Sequence, residues 1–388
     1  MASPADAPSR APAAPRPTPF TLLQADPGSA ARRGRLQTAH GAIDTPAFMP
    51  VATQGAVKGV LPSQLSEMGA QILLANAYHL SLRPGIAAVE ALGGLHRFMG
   101  WSGVLLTDSG GYQIMSLAPL RTISDDGVAF QSHLDGARLF LTPEAVIDAQ
   151  VRLAVDILMP LDECVRHGSE ADAVGAALRR TTLWAERSAR VPIGTDRHLF
   201  GIVQGGLDPT LRRAHAMRLA AIGFPGYAVG GLSVGEEREV TYGVAAETAA
   251  ALPQERPRYL MGVGLPQDLL RFVAMGYDLF DCVLPTRNGR NGTCFTWQGR
   301  VNIRLARHAR EDEPLDATCG CPVCRRFSRA YLRHLATSGE MLGAQLPTLH
   351  NLHFYTDLMR QARAHIAAGD YAAWAAARRA AIEAGEAA

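Results

Sequence analysis

The feature that most constrains the fold is an alternation. Short apolar runs with β-branched residues are each followed by a longer stretch with helical spacing, and the unit recurs eight times. Strands are predicted over 46–51, 71–76, 104–108, 157–162, 199–204, 227–232, 259–263 and 279–283. The helices predicted between them include 62–68, 84–92, 143–153, 171–191, 209–222, 238–252 and 267–275. Several open with a proline near the first turn, or with Thr142 or Asp208 in capping position. Repeated β-then-α units imply a parallel sheet. Eight of them fit a closed (β/α)8 TIM barrel of the α/β class, with a doubly wound open sheet as the rival. The polar residues favour the barrel. Asn76, Asp108, Asp162, Gln204, Gly230, Gly231, Gly262, Gly264 and Asp281 all fall at or near the C-terminal ends of their strands. A barrel gathers those ends on one face, whereas an open sheet scatters them along an edge.

The remaining length has its own character. Residues 1–19 hold six prolines among Ala, Ser and Arg and are expected to be a disordered tail. The barrel is expected over 20–300, a zinc-binding subdomain over 301–360, and an alanine-rich helical segment lying on the surface over 361–388. Net charge is +2, from 38 basic and 36 acidic residues, so only a local patch could mark a nucleic-acid or membrane partner. No apolar run approaches the roughly 18–20 residues of a membrane span, and the N-terminus lacks a secretory signal's apolar stretch. The 6 cysteines are too few for a disulfide scaffold, which points to a reducing, cytoplasmic compartment. Lys58 is the only lysine, which base composition of the genome accounts for.

Two strand ends carry acids suited to chemistry. At 107–113 an apolar strand delivers Asp108, then Ser109, then Gly110 and Gly111, which let backbone approach a ligand closely, and Tyr112, whose ring could stack on a planar base. At 279–285 Asp281 interrupts an apolar strand, and a buried carboxylate is costly unless paired or used. Across a barrel mouth the two could flank a substrate and do glycosidic chemistry, one attacking the anomeric carbon and the other handling protons. Residue types alone leave open which does which. Asp162, Gln204 and the bare backbone of Gly231 and Leu232 offer groups matching the donor and acceptor edges of a guanine-like base.

Two further patterns lie beyond the last strand. From Pro285 to Arg310 there are six arginines and no acid, with Phe295 and Trp297 interleaved, a composition that could hold phosphate and read unstacked RNA bases. Then Cys319, Cys321 and Cys324 form C-x-C-x2-C, followed by His350 and His353. Three thiolates and one imidazole make a closed tetrahedral set, as in structural zinc sites, and the spacing leaves the choice of histidine open.

With these residues in view, the chain resembles the bacterial tRNA-guanine transglycosylases over residues 20–360. The matching segments are DSGGYQ from Asp108, LDEC from Leu161, VQGG from Val203, GGL from Gly230, MGVG from Met261, FDCVLPTRNGRNG from Phe280, CGCPVC from Cys319 and HNLHFY from His350. The resemblance implies a cytoplasmic homodimer in queuosine biosynthesis that exchanges guanine at the wobble position of tRNAs with GUN anticodons for preQ1, 7-aminomethyl-7-deazaguanine. It implies Asp281 as the nucleophile that forms a covalent ribosyl intermediate, and Asp108 as the proton carrier. Asp108 to Tyr112, Asp162, Gln204, Gly231 and Leu232 are then the base pocket. Gly262, Val263, Gly264, Leu265, Pro266, Gln267 and Asp268, with Thr286, Arg287, Asn288, Gly289 and Arg290, are the anticodon-loop contacts. Cys319, Cys321, Cys324 and His350 hold one structural Zn2+ per subunit. Leu265 departs from the lysine of many relatives, and modestly weaker tRNA binding is expected from it. Rival readings are a retaining nucleosidase or glycosidase, and a non-catalytic RNA-binding zinc protein.

Overall fold

The computed structural model describes residues 19–111, 121–132 and 136–387. Most of the expected proline-rich tail, residues 1–18, and Tyr112 lie outside the described residues. The strands in chain order are β1 Phe20–Ala25, β2 Arg32–Thr38, β3 Gly41–Thr45, β4 Ala47–Met49, β5 Val51–Ala52, β6 Ile72–Asn76, β7 Val104–Asp108, β8 Arg121–Ser124, β9 Gly127–Gln131, β10 Arg138–Leu141, β11 Ile157–Leu158, β12 His198–Val203, β13 Gly226–Val229, β14 Arg258–Leu260, β15 Leu279–Asp281, β16 Thr293–Thr296 and β17 Gly299–Asn302.

The main sheet runs β4-β15-β14-β13-β12-β11-β7-β6-β5. Its two end members are consecutive in the chain and separated only by Pro50, whose carbonyl accepts the Leu74 N–H at 3.0 Å. The sheet therefore closes on itself as a parallel barrel whose first strand is interrupted at Pro50, which has no N–H to give. The open-sheet rival is set aside.

A strand's side chains alternate in direction, so two-residue steps decide what fills the barrel. Ile72 and Leu74, Val104 and Leu106, Ile157 and Met159, Phe200 and Ile202, Ala228, Tyr259 and Leu279 form one buried inner cluster. Leu73, Leu105, Leu158, Leu199, Val203, Leu260 and Phe280 belong to the outer cluster beneath the helices. Continuing the inner steps upward gives Asn76, Asp108, Gln204, Gly230 and Asp281. The same periodicity that packs the lumen thus delivers polar groups to its mouth.

Three parts of the architecture were not anticipated. The antiparallel sheet β1-β2-β3 closes the lower end of the barrel, with Phe20, Leu36 and Ile43 joining the inner cluster. Buried Arg32 anchors it by donating Nε to Asp278 Oδ1 at 3.0 Å. A second antiparallel sheet, β10-β9-β8, is inserted between β7 and β11. Expected strand 157–162 stops at Leu158, so Asp162 sits on the following loop.

After the barrel come the β16–β17 hairpin, the helix Arg329–Ser338 and the 28-residue helix Met341–Ala368. The long helix welds this part to the barrel. Fully buried Asn351 accepts Phe295 N–H at 2.9 Å and donates to the carbonyls of Pro285 at 2.9 Å and Thr293 at 3.0 Å. Gly289 is glycine because a Cβ there would lie 2.7 Å from Thr348 Cα on that helix. The C-terminal helix Tyr371–Ala387 is more than a surface feature: Tyr371 is fully buried and donates to Leu270 O at 2.8 Å, and Ile382 is buried. Phe295 and Trp297 are also core residues, packed against Tyr355 and against Phe354 and Trp374. They are therefore not available to stack on RNA bases, a correction to the sequence reading.

Candidate active site and metal centre

The barrel mouth opens into a cavity of about 640 Å³ whose wall includes Asn76, Asp108, Asp162, Gln204, Tyr259 and Asp281. Asp108 ends β7, in register with Asn76 at the end of β6. The orientation of Asn76 is forced by its two tasks. Its Oδ1 caps the helix Ala77–Leu82 by accepting His79 N–H at 3.0 Å, which turns Nδ2 toward Asp108 Oδ2 at 3.1 Å. Burial, then the charge of Asp162, then that of Asp281, push the Asp108 carboxyl up to about 7, against backbone N–H groups of Gly110 and Ser109. A carboxyl in that range can both give and take a proton near neutrality.

Asp281 ends β15. Its Oδ1 accepts the hydroxyl of fully buried Tyr259 at 2.6 Å and the Gly262 N–H at 2.9 Å. Burial raises its carboxyl above the usual range while those two donors oppose the rise. Oδ2 makes no hydrogen bond to the described residues and is the oxygen free for chemistry.

Asp162 and Gln204 form a recognition edge. Gln204 Nε2 donates to Asp162 Oδ2 at 2.7 Å, while buried Gln204 Oε1 and buried Ser109 Oγ have no hydrogen-bond partner among the described residues. Of the two, Gln204 lines the cavity, and a buried acceptor there suits a ligand's N–H group. Burial pushes Asp162 up to about 6, opposed by Gln204. The glycines make room for this edge. A Cβ on Gly111 would fall 2.2 Å from Asp162 Oδ1, and one on Gly231 (φ +67°) 2.4 Å from Gln204 Oε1. Fully buried Arg212 holds the Gly231 carbonyl at 3.1 Å, and Leu232 is a buried part of the wall.

The loop after β14 and the helix Leu284–Arg290 form the lip. Gly262, Leu265, Asp268 and Arg287 line the cavity, with Gly262 and Arg287 exposed. Asn288 and Arg290 are half-buried, whereas the side chains of Val263, Pro266, Gln267 and Thr286 are buried, as is Gly289. Tyr259, Glu236 and Arg238 also line the cavity and were not among the sequence candidates. Tyr259 carried a signal in retrospect, since an inward phenol beside the strand that ends in Asp281 must find an acceptor.

Cys319, Cys321, Cys324 and His350 converge, with their candidate ligand atoms within 4.8 Å of one another. His350 Nδ1 faces the three sulfurs at 3.8, 3.5 and 3.3 Å, and its Nε2 lies 2.8 Å from Phe295 O. That carbonyl fixes the tautomer leaving Nδ1 as the ligand atom. His353 Nδ1 approaches Cys319 alone, at 3.8 Å, which separates the two histidines. The set fits a tetrahedral thiolate–imidazole metal site. His40, His96 and Asp156 also cluster, at the opposite end of the barrel. There the two rings stack at 3.6 Å and 17°, so their in-plane lone pairs run in near-parallel planes and do not converge on one ion.

The family model described as Queuine tRNA-ribosyltransferase matches residues 26–384. Among curated relatives, a queuine tRNA-ribosyltransferase of Solidesulfovibrio magneticus is 52% identical over 372 residues, covering 95% of this chain and 99% of its own. That of Sphingopyxis alaskensis is 53% identical over 360 residues (92% and 96%), and that of Aromatoleum aromaticum 53% over 353 residues (90% and 95%).

Proposed function

The chain belongs to the queuine tRNA-ribosyltransferase family, and from that premise we propose that it is a pentosyltransferase replacing guanine at the tRNA wobble position with preQ1 through an aspartyl-ribose ester. One observation carries the reading: Asp108 and Asp281, from two separate strands, enter one cavity beside the Asp162–Gln204 edge. Guanine's ring N–H and amine supply donors for Gln204 Oε1 and for the second oxygen of Asp162. Asp281 Oδ2 attacks ribose C1′, the C1′–N9 bond breaks, and the departing base takes its proton from Asp108. The incoming base returns a proton to Asp108 as its nitrogen displaces the ester, so bonds broken and formed match and no nucleotide triphosphate is needed. An aminomethyl cation suits a wall that also carries Glu236, which favours preQ1.

The anticodon loop would rest on the lip from Gly262 to Asp268 and from Thr286 to Arg290. Catalysis is assigned to 20–300 and metal binding to 301–360. A bound Zn2+ would cross-link Cys319, Cys321, Cys324 and His350 and supply rigidity rather than chemistry, because four protein ligands leave no open position. A homodimer is part of the proposal, and exposed apolar side chains such as Met341 and Leu342 are candidates for its contact. Among the described residues no helix is long and apolar enough to cross a membrane, and a tRNA substrate agrees with a cytoplasmic site.

The test is incorporation of radiolabelled guanine into a GUN-anticodon tRNA, chased by preQ1. Incorporation that preQ1 displaces is expected. Release of guanine without incorporation would indicate a nucleosidase, and binding without either would indicate a non-catalytic RNA-binding protein; both overturn the proposal.

A further inference from the structure

We propose that Arg238 is a positioning cation of the active-site lip that pairs with a phosphate of the bound RNA loop beside the exchanged nucleotide; this rests on the exchange reading above. The cavity wall is acidic, with Asp108, Asp162, Glu236, Asp268 and Asp281. Among the described residues lining it, only Arg238 and Arg287 bring positive charge. A polyanion that enters such a mouth needs cations at its rim. Lys58, the chain's one lysine, is not in that wall, and Leu265 contributes none.

Arg238 is built into place rather than left loose. It opens the helix Arg238–Ala251, and its side chain is 51% exposed. One terminal nitrogen donates to Asp268 Oδ1, and the guanidinium lies 6.0 Å from the centroid of the Tyr242 ring. The Tyr242 hydroxyl donates to the same Oδ1 at 2.6 Å. Arg271 sits on that ring at 4.4 Å and pairs with Glu239 at 3.1 Å. Asp268, only 14% exposed, is therefore a bracket that aims the guanidinium, and Tyr242 holds the bracket. One nitrogen of the guanidinium is used. The Tyr242 side chain is its other close polar neighbour, and the exposed remainder of the planar fork matches a phosphate. An isolated surface ion pair would need neither the buried tyrosine nor a place in the cavity wall.

The experiment measures guanine exchange into an anticodon stem-loop RNA at several salt concentrations. It compares the parent enzyme with Arg238→Gln, Leu265→Lys and the double variant. Arg238→Gln is expected to raise the RNA KM by about three- to tenfold, with kcat and the KM for guanine unchanged. The slope of log affinity against log salt should fall by about 0.7, the share of one single-strand phosphate. Leu265→Lys should restore the RNA KM in the Arg238→Gln background by returning a cation to the same wall. Unchanged RNA KM and salt slope in an Arg238→Gln enzyme that still exchanges would overturn the assignment, as would a loss confined to kcat. Absence of exchange in the parent would instead refute the exchange reading itself.

Discussion

Tyr259→Phe separates the account from a generic acid-pair reading. The phenol donates to Asp281 Oδ1 at 2.6 Å from a fully buried position. In the free enzyme its acceptor is a carboxylate; in the covalent ester it is a neutral oxygen. A hydrogen bond to a charged group contributes about 1.5–3 kcal/mol and one to a neutral group about 0.5–1.5 kcal/mol. Removing the hydroxyl therefore costs the free carboxylate about 1.2 kcal/mol more than it costs the ester, roughly an eightfold shift toward adduct. With guanine as both leaving and entering base, the chemistry is symmetric and this shift is read directly. The assay is the fraction of enzyme–RNA adduct surviving denaturation at fixed guanine, with the exchange rate measured alongside. The adduct fraction should rise while turnover falls, because the ester gives up a less stabilised carboxylate. The low-pH limb should also move up, since Tyr259 opposes the burial that raises Asp281. A lower or unchanged adduct fraction at a pH where Asp281 is ionised would refute this reasoning.

Other outcomes follow from the same geometry. Gly111→Ala puts a methyl 2.2 Å from Asp162 Oδ1; kcat/KM for free guanine should fall at least about tenfold with the circular dichroism spectrum unchanged, and normal guanine kinetics would remove Asp162 from the base pocket. Asp162→Asn deletes a charge that raises Asp108, so the alkaline limb of kcat, which needs Asp108 protonated, should move to lower pH from about 7. A limb that stays put would deny Asp108 the proton. Removing metal from the Cys319–Cys321–Cys324–His350 set should lower Tm and raise the RNA KM, because Tyr355 on the same helix holds the Gly264 carbonyl of the lip; metal analysis should give one Zn2+ per chain, and an enzyme indifferent to chelation would contradict the structural role.

The barrel was legible because its strands are short, apolar and followed by capped helices, and because every second inward residue is apolar until the mouth. Asn76, Asp108, Gln204 and Asp281 stand one step above that apolar series, which is why their strand-end position was informative. The β1–β3 cover escaped notice because β2 carries three arginines and Leu36 is its one large apolar side chain, and Arg32 looks like a surface residue until Asp278 is brought to it. Tyr259 read as a hydrophobic strand residue, since nothing local announces that a phenol will meet a carboxylate from the next strand. Phe295 and Trp297 misled because their neighbours are arginines. Their burial depends on Tyr355, Phe354 and Trp374, roughly 60 to 80 residues away in the chain. Arg238 lay at the start of a helix, where its partner Asp268, on the next helix, could not be read from the spacing.

The central claim is that Asp281 forms the bond to ribose. Enzyme trapped with a GUN-anticodon RNA, digested and analysed by mass spectrometry, should carry the ribosyl mass on the peptide containing Asp281, and Asp281→Asn should abolish it while tRNA still binds. A mass on the Asp108 peptide, or an Asp281→Asn enzyme that continues to exchange guanine, would contradict the account.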